Sequence, residues 1–239
     1  MKRKIFYIAA AVLAVIALVI VLLLLPKNEK TPAPDTTEPT EQTAPARVTD
    51  SQSLSVNLGY GLFLTEVGSY TGPFLEDGSD QVVSGVLMIR VTNRGDTGVE
   101  YANISLSTKD GQASFTLSAL LPGETVILLE TNRLPYDSTE AYQYALMENT
   151  AFYTKQLSRQ EDLLSVKLLD GGMNVINISG KDIDGDIVVY YKNKQNDIYY
   201  GGITYRLRIT GGMKRNAISQ LISQHIHENN TEILFITVE

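Results

Sequence analysis

The hydrophobic positions of this chain fall into three regimes. From Ile5 to Leu25 they are continuous: 21 residues without a charge, closed by Pro26. A bilayer core needs about 20 apolar residues as helix, and a soluble helix is rarely apolar on every face over such a length. The run therefore predicts a transmembrane helix. From residue 26 to 50 large apolar side chains nearly vanish, and Thr31 to Ala46 holds five Thr, four Pro and three acids. Such a segment cannot bury a core and stays extended. As polyproline it reaches roughly 75 Å; as a flexible coil it averages about 25–30 Å. From Ser51 onward apolar and polar residues alternate. Leu87, Ile89 and Val91 alternate with Met88, Arg90 and Thr92, and Ala113, Phe115 and Leu117 alternate with Gln112, Ser114, Thr116 and Ser118. Period-2 alternation marks strands with one face in a core and one in water.

Turn signals punctuate these runs at Asn93-Arg94-Gly95-Asp96, Lys109-Asp110-Gly111 and Pro122-Gly123-Glu124. The second half follows suit. Ser165–Leu169, Asp170-Gly171-Gly172 and Met173–Ile178 predict a hairpin, and Ile203, Tyr205, Leu207 and Ile209 alternate with Thr204, Arg206, Arg208 and Thr210. Ile233 to Val238 is apolar on both faces, which predicts a central strand. Two stretches carry a helical pattern as well. Ser138–Met147 could cap on Ser138, and Ile218, Leu221, Ile222 and Ile226 have helical spacing, so strand and helix stay open there.

The two halves share a plan. Val91-Thr92-Asn93 leads through a polar turn to a strand at Val99–Leu106 and then to Lys109-Asp110-Gly111. Ile176-Asn177 leads through Gly180-Lys181-Asp182 to a strand at Ile187–Tyr191 and then to Gln195-Asn196-Asp197. Leu121-Pro122-Gly123-Glu124 in the first half falls opposite Gly211-Gly212-Met213-Lys214 in the second. A strand ending in Asn, a small polar turn, a strand, then Leu-Pro-Gly-Glu before another strand resembles the immunoglobulin-like modules of bacterial surface proteins, of the CARDB and FxLYD types. Tyr190-Tyr191-Lys192-Asn193 and Tyr200-Gly201-Gly202-Ile203-Thr204-Tyr205 are similar to segments of membrane-anchored surface proteins of Gram-positive bacteria with tandem modules of this kind. The resemblance covers about Ser51 to Glu239. It implies tandem β-sandwiches and no catalytic residue.

Charge gives the chain a direction. Lys2, Arg3 and Lys4 precede the apolar run, and only Lys27 and Lys30 follow it closely. The denser positive charge belongs in the cytoplasm, which sends residues 27–239 across the membrane. A cleaved signal peptide is the alternative, but its apolar region would be shorter and a small-x-small site would follow it. The net charge is −7; with three positive charges in the tail and three against five in residues 26–50, the chain from Ser51 onward carries −8. Nucleic acid is therefore not an expected partner. Absence of cysteine excludes disulfides, thiolate metal sites and Cys nucleophiles.

Candidate chemistry is sparse. The serine-hydrolase elbow, the phosphate-binding loop, the His-Glu-x-x-His pair and the dinucleotide fingerprint are all missing. His225 and His227, the only histidines, would share a face on a strand and could hold one metal. Asp182, Asp184 and Asp186 alternate as calcium ligands do, although Ile187 and Asn193 stand where an EF-type loop needs Gly and an acid. Tyrosines crowd the second half, and Tyr191 and Tyr199 are the candidates for stacking on a sugar ring. The chain thus predicts an all-β fold: a cytoplasmic tail (1–4), a transmembrane signal anchor (5–25), a disordered Pro/Thr/Glu linker (26–50) and two immunoglobulin-like β-sandwich domains (51–157 and 158–239). The expected role is non-catalytic and without cofactor. It is a single-pass membrane protein whose extracytoplasmic domains bind an envelope protein partner; wall glycan or polysaccharide is the second choice of ligand.

Overall fold

In a computed structural model, residues 46–239 are described, except 110 and 143. The apolar run, and nearly all of the linker, lie outside the described residues. Among the described residues all regular structure is β, and no helix is long and apolar enough to cross a membrane.

The strands of the first half are β1 (Arg47–Gly59), β2 (Leu62–Phe74), β3 (Gln81–Asn93), β4 (Val99–Thr108), β5 (Gly111–Leu120), β6 (Thr125–Leu129) and β7 (Ala145–Phe152). Those of the second are β8 (Leu164–Leu169), β9 (Gly172–Asn177), β10 (Ile187–Gln195), β11 (Ile198–Ile209), β12 (Ile218–Ile222) and β13 (Thr231–Val238). The pairings repeat. In the first half β2-β3-β6 form one sheet and β5-β4-β7 another; in the second, β8-β9-β12 and β11-β10-β13 do the same. Only β1, paired to β2, has no counterpart. Each half buries an apolar cluster between its two sheets, as β-sandwiches do.

The halves do not stand apart. β6 pairs in parallel with β11, Val126 with Tyr199 and Ile127 with Tyr200, so a seven-stranded sheet runs in the order β1-β2-β3-β6-β11-β10-β13. The described residues belong to one compact unit.

A buried asparagine marks the same corner in each repeat. Asn93 ends β3; its Oδ1 accepts the Gly95 N–H at 3.0 Å and its Nδ2 donates to the carbonyls of Thr97 and Leu120. Asn177 ends β9; its Oδ1 accepts the Ser179 N–H at 3.0 Å and its Nδ2 donates to the carbonyls of Lys181 and Met213. The main chain matches too, Asn93 N–H reaching Glu124 and Asn177 N–H reaching Ala217. This sets Leu121–Glu124 against Lys214–Ala217, three residues beyond the sequence-based match. Gly123 and Asn216 then hold the same left-handed turn position, φ +82° and +57°, the conformation that Gly and Asn tolerate best.

Several expectations change. β1 starts at Arg47, inside the expected linker, because Val48 packs on an apolar cluster and pairs with Tyr70. Among the described residues of 138–147 no helix forms: Asp137, rather than Ser138, closes a turn by accepting the Thr139 N–H, and Ala145 already enters β7. Ile218–Ile222 is a strand on β9, with Ile226 buried in the loop beyond. β13 is an edge strand, not a central one. Its two apolar faces follow from two neighbours: Leu234 and Phe235 join the first core, Ile233 and Ile236 the second. Its outer edge is covered where Ile236 N–H donates to Ser158 O. Nor is the second face of β3 left to water along its middle, since Val86 and Met88 pack with Tyr70, Phe74, Ile127 and Leu129 in a third cluster.

Replacing Asn177 by Ala strands several buried polar groups and is expected to lower stability by about 2–3 kcal/mol, read as a lower urea midpoint at unchanged slope. Asn93→Ala should cost a similar amount. Losses no larger than that of exposed Asn229→Ala would show that these corners anchor nothing.

Candidate functional site at the repeat junction

The densest set of buried ionisable groups lies where the repeats join. The loop Leu75–Asp80 leaves β2 after Phe74, whose ring is buried and capped by the Arg133 guanidinium at 4.4 Å. Arg133 also pairs with Asp77 at 2.7 Å, and these groups rim a cleft of about 270 Å³ that Glu76 lines. Across from the loop, β11 bulges: Tyr200 pairs with Asn193 and Tyr205 with Tyr191, leaving residues 201–204 opposite Lys192 alone. Two glycines make this possible. Gly201 has φ +81°, and a Cβ there would lie 2.7 Å from that of Leu75; a Cβ on Gly202 would lie 1.6 Å from the Thr116 carbonyl oxygen.

The Gly202 main chain is thereby brought among side chains from both repeats. Glu76 accepts the Gly202 N–H at 2.9 Å and the outward-facing N–H of Leu129 at 2.9 Å. The Gly202 carbonyl accepts Ser118 Oγ–H at 2.7 Å and the Lys192 ammonium at 3.3 Å. Thr204 closes the seam by donating to the Ser118 carbonyl at 3.1 Å. Burial pushes the Glu76 carboxyl up to about 7, against the pull of its two N–H donors and of Lys192. Burial also pushes Lys192, which has no exposed surface, down to about 8, partly offset by Glu76 and Glu124.

A second polar contact crosses beside it. Asp80 Oδ2 lies 2.8 Å from His225 Nδ1, in the loop between β12 and β13. Tyr205 stacks on the imidazole at 4.5 Å and on Tyr191 at 5.3 Å, and Tyr191 donates to Ser223 Oγ at 2.9 Å. Burial and the nearby Asp80 raise the Tyr205 hydroxyl well above its usual range. An aspartate–histidine pair could orient a general base, but Ser223 spends its Oγ on Tyr191 and on the His225 N–H. Lys192 is sealed from any substrate. What this arrangement does is clamp the repeats together.

The residues singled out in the sequence are dispersed. Asp182 accepts from Lys214 Nζ and Arg215 N–H, both at 2.9 Å; Asp186 accepts from Gly211 N–H at 2.8 Å and Arg208 at 2.9 Å. Lys214 and the Gly211 N–H respectively are the main reasons both carboxyls sit below the usual range. Asp184 points to solvent, so the three do not converge on a cation. His225 and His227 flank buried Ile226 in a loop, and His227 is exposed. Among the described residues no three metal-ligating side chains gather. The Tyr191 ring is buried in the second core, and Tyr199 is buried with its hydroxyl donating to Glu124 at 3.0 Å, so neither offers a free face to a sugar. Glu76, Asp80 and Lys192 had no local signature: the first two sit in a stretch with the composition of a polar turn, and the residues they meet in the second repeat, Gly202 and His225, lie over a hundred positions away. The available signal was Gly201-Gly202 inside a strand pattern, which marks a bulge or a close backbone approach.

No protein-family model, curated protein or solved structure matches the chain.

Glu76 holds its proton more tightly folded than free, so its contribution to stability is complete below its ordinary value of 4.5 and is lost as pH rises through about 7. The stability advantage of the wild type over Glu76→Gln should therefore shrink across that window by about 3 kcal/mol, measured by urea unfolding at each pH. Lys192 has the opposite sign, and stability should recover between about 8 and 10.5 unless Lys192 is replaced by Met. Curves for both variants parallel to the wild type would refute the burial of these groups. Gly202→Ala should destabilise by about 3 kcal/mol or more; an unchanged unfolding midpoint would contradict the tight approach to Thr116.

Proposed function

We propose that this chain is a non-catalytic, membrane-anchored binding and scaffold protein of the cell envelope, whose two repeats act outside the cytoplasm as tandem immunoglobulin-like modules and engage a protein partner. The observation that carries this reading is that the buried ionisable groups, and Asp182, Asp186 and His225 among those singled out in the sequence, are consumed in holding the fold. Asp182 and Asp186 tie strand ends, His225 and Asp80 cross between repeats, and Glu76 and Lys192 share Gly202. Groups used in this way bring no bond-making machinery to a substrate, while the surface of the sandwiches stays available for contact.

The apolar run with its basic flank supports the anchor, and the Pro/Thr segment supports a spacer between membrane and modules. The modules would occupy about 51–157 and 158–239, of the CARDB or FxLYD kind, fused through one sheet. The acidic balance favours a partner other than nucleic acid.

Short-range cross-linking of the full chain in intact envelopes tests the proposal. The expected product is one dominant envelope protein joined to the chain. Wall sugar in place of protein on that product would overturn the choice of partner. A turnover activity of the purified chain that disappears in His225→Ala would overturn the non-catalytic reading.

A further inference from the structure

The repeat makes one edge of the molecule stand out. By the asparagine corners, Glu124 corresponds to Ala217, so β6 corresponds to β12, Ile127 to Gln220 and Leu129 to Ile222. Glu124 and Glu130 bond to β3, which turns the main-chain groups of Thr125, Ile127 and Leu129 outward. Ala217 and Ser223 bond toward the β9 side, which turns those of Ile218, Gln220 and Ile222 outward. In the first repeat that edge is sealed. β11 pairs along it, Glu76 takes the Leu129 N–H, and Leu129 is 1% exposed. In the second repeat the corresponding residues are bare: Ile222 is 77% and Ile218 64% exposed.

The other edges are protected. Ser114 of β5 bonds to Thr131, and β13 is covered at Ser158. β1 carries Arg47 and Asp50 and breaks register with β2 three times. β7 carries Glu148 and shifts twice against β4, and β8 carries Lys167. These are the devices that keep sheet edges from pairing. β12 has no charge, no proline and five pairs in unbroken register with β9.

We propose that the β12 edge pairs with β12 of a second copy of this chain, antiparallel about a two-fold axis at Gln220. The strand is self-complementary in that register. Ile218 faces Ile222 of the partner copy, Gln220 faces itself, and these are the residues whose main-chain groups point outward. Each such facing pair can exchange two N–H···O bonds. The two three-stranded sheets become one, and the interface closes on itself rather than growing into a filament. Self-pairing of β7 or β8 would bring Glu148 or Lys167 close to its own copy; β12 meets no such repulsion. A five-residue seam buries well under the roughly 1,200 Å² of a stable interface, so association is weak and concentration-dependent.

The chain has no cysteine, which makes the test direct. The full chain in detergent, carrying Gln220→Cys, is oxidised over a range of concentrations and compared with Ser165→Cys on the exposed part of β8. The expected result is covalent dimer from Q220C at least about tenfold faster than from S165C. Adding Ile222→Lys to Q220C should abolish this while leaving the thermal unfolding midpoint in place. Equal rates for the two cysteines, or a Q220C dimer that survives Ile222→Lys, would overturn the proposal. Capture of another polypeptide by a chain that gives no Q220C dimer would overturn it too. The outcome is independent of the envelope partner proposed above.

Discussion

Gly202 is the point on which the molecule turns. It is a residue where a side chain cannot fit, in a strand that must bend, between a carboxylate from one repeat and an ammonium from the other. Burying either charge alone would cost several kcal/mol. Here the two charges do not touch; each satisfies one end of the same residue's main chain, Glu76 the N–H and Lys192 the carbonyl. This lets β11 run first beside β6 and then swing toward β5. The shared sheet, the third apolar cluster and the position of the Asp80–His225 contact all follow from that path.

Much of the β architecture could be read locally. Alternation located β3, β5 and the latter part of β11, where Arg206, Arg208 and Thr210 are exposed as their spacing requires. The asparagine-ended strands revealed the repeat because an Asn amide that bonds its own following turn leaves a fixed local spacing. What stayed hidden was set by contacts between the halves. Alternation at Leu87–Val91 says which face is the better core, not that the other face will also be covered. An apolar strand such as β13 can be buried on both faces at a sheet edge when separate cores lie on either side. Helical spacing at 218–226 spans a strand and a loop, and only pairing with β9 separates them.

The candidate residues illustrate the same limit. Alternate aspartates and a His-x-His are patterns of spacing, but ligation depends on where the side chains point. In a twisting loop between strands, Asp182 and Asp186 find their own nearest donors, and buried Ile226 pins the segment between the two histidines. Tyrosine clustering measured strand preference and core packing rather than surface. The residues that do meet across the junction carry no mark in their own neighbourhoods, apart from the paired glycines.

The strand order has a mechanical consequence. β1 and β13 are the opposite rims of one seven-stranded sheet, so tension applied between Arg47 and Val238 must be transmitted across every ladder in series. Five of the six ladders are antiparallel registers of five or more pairs; the β6–β11 step is held by two paired residues and by the side chains gathered on Gly202. Under load the sheet would part there first, drawing Tyr199, Leu234 and Phe235 out of the first core, along a line that a change in the protonation of Glu76 could weaken or strengthen.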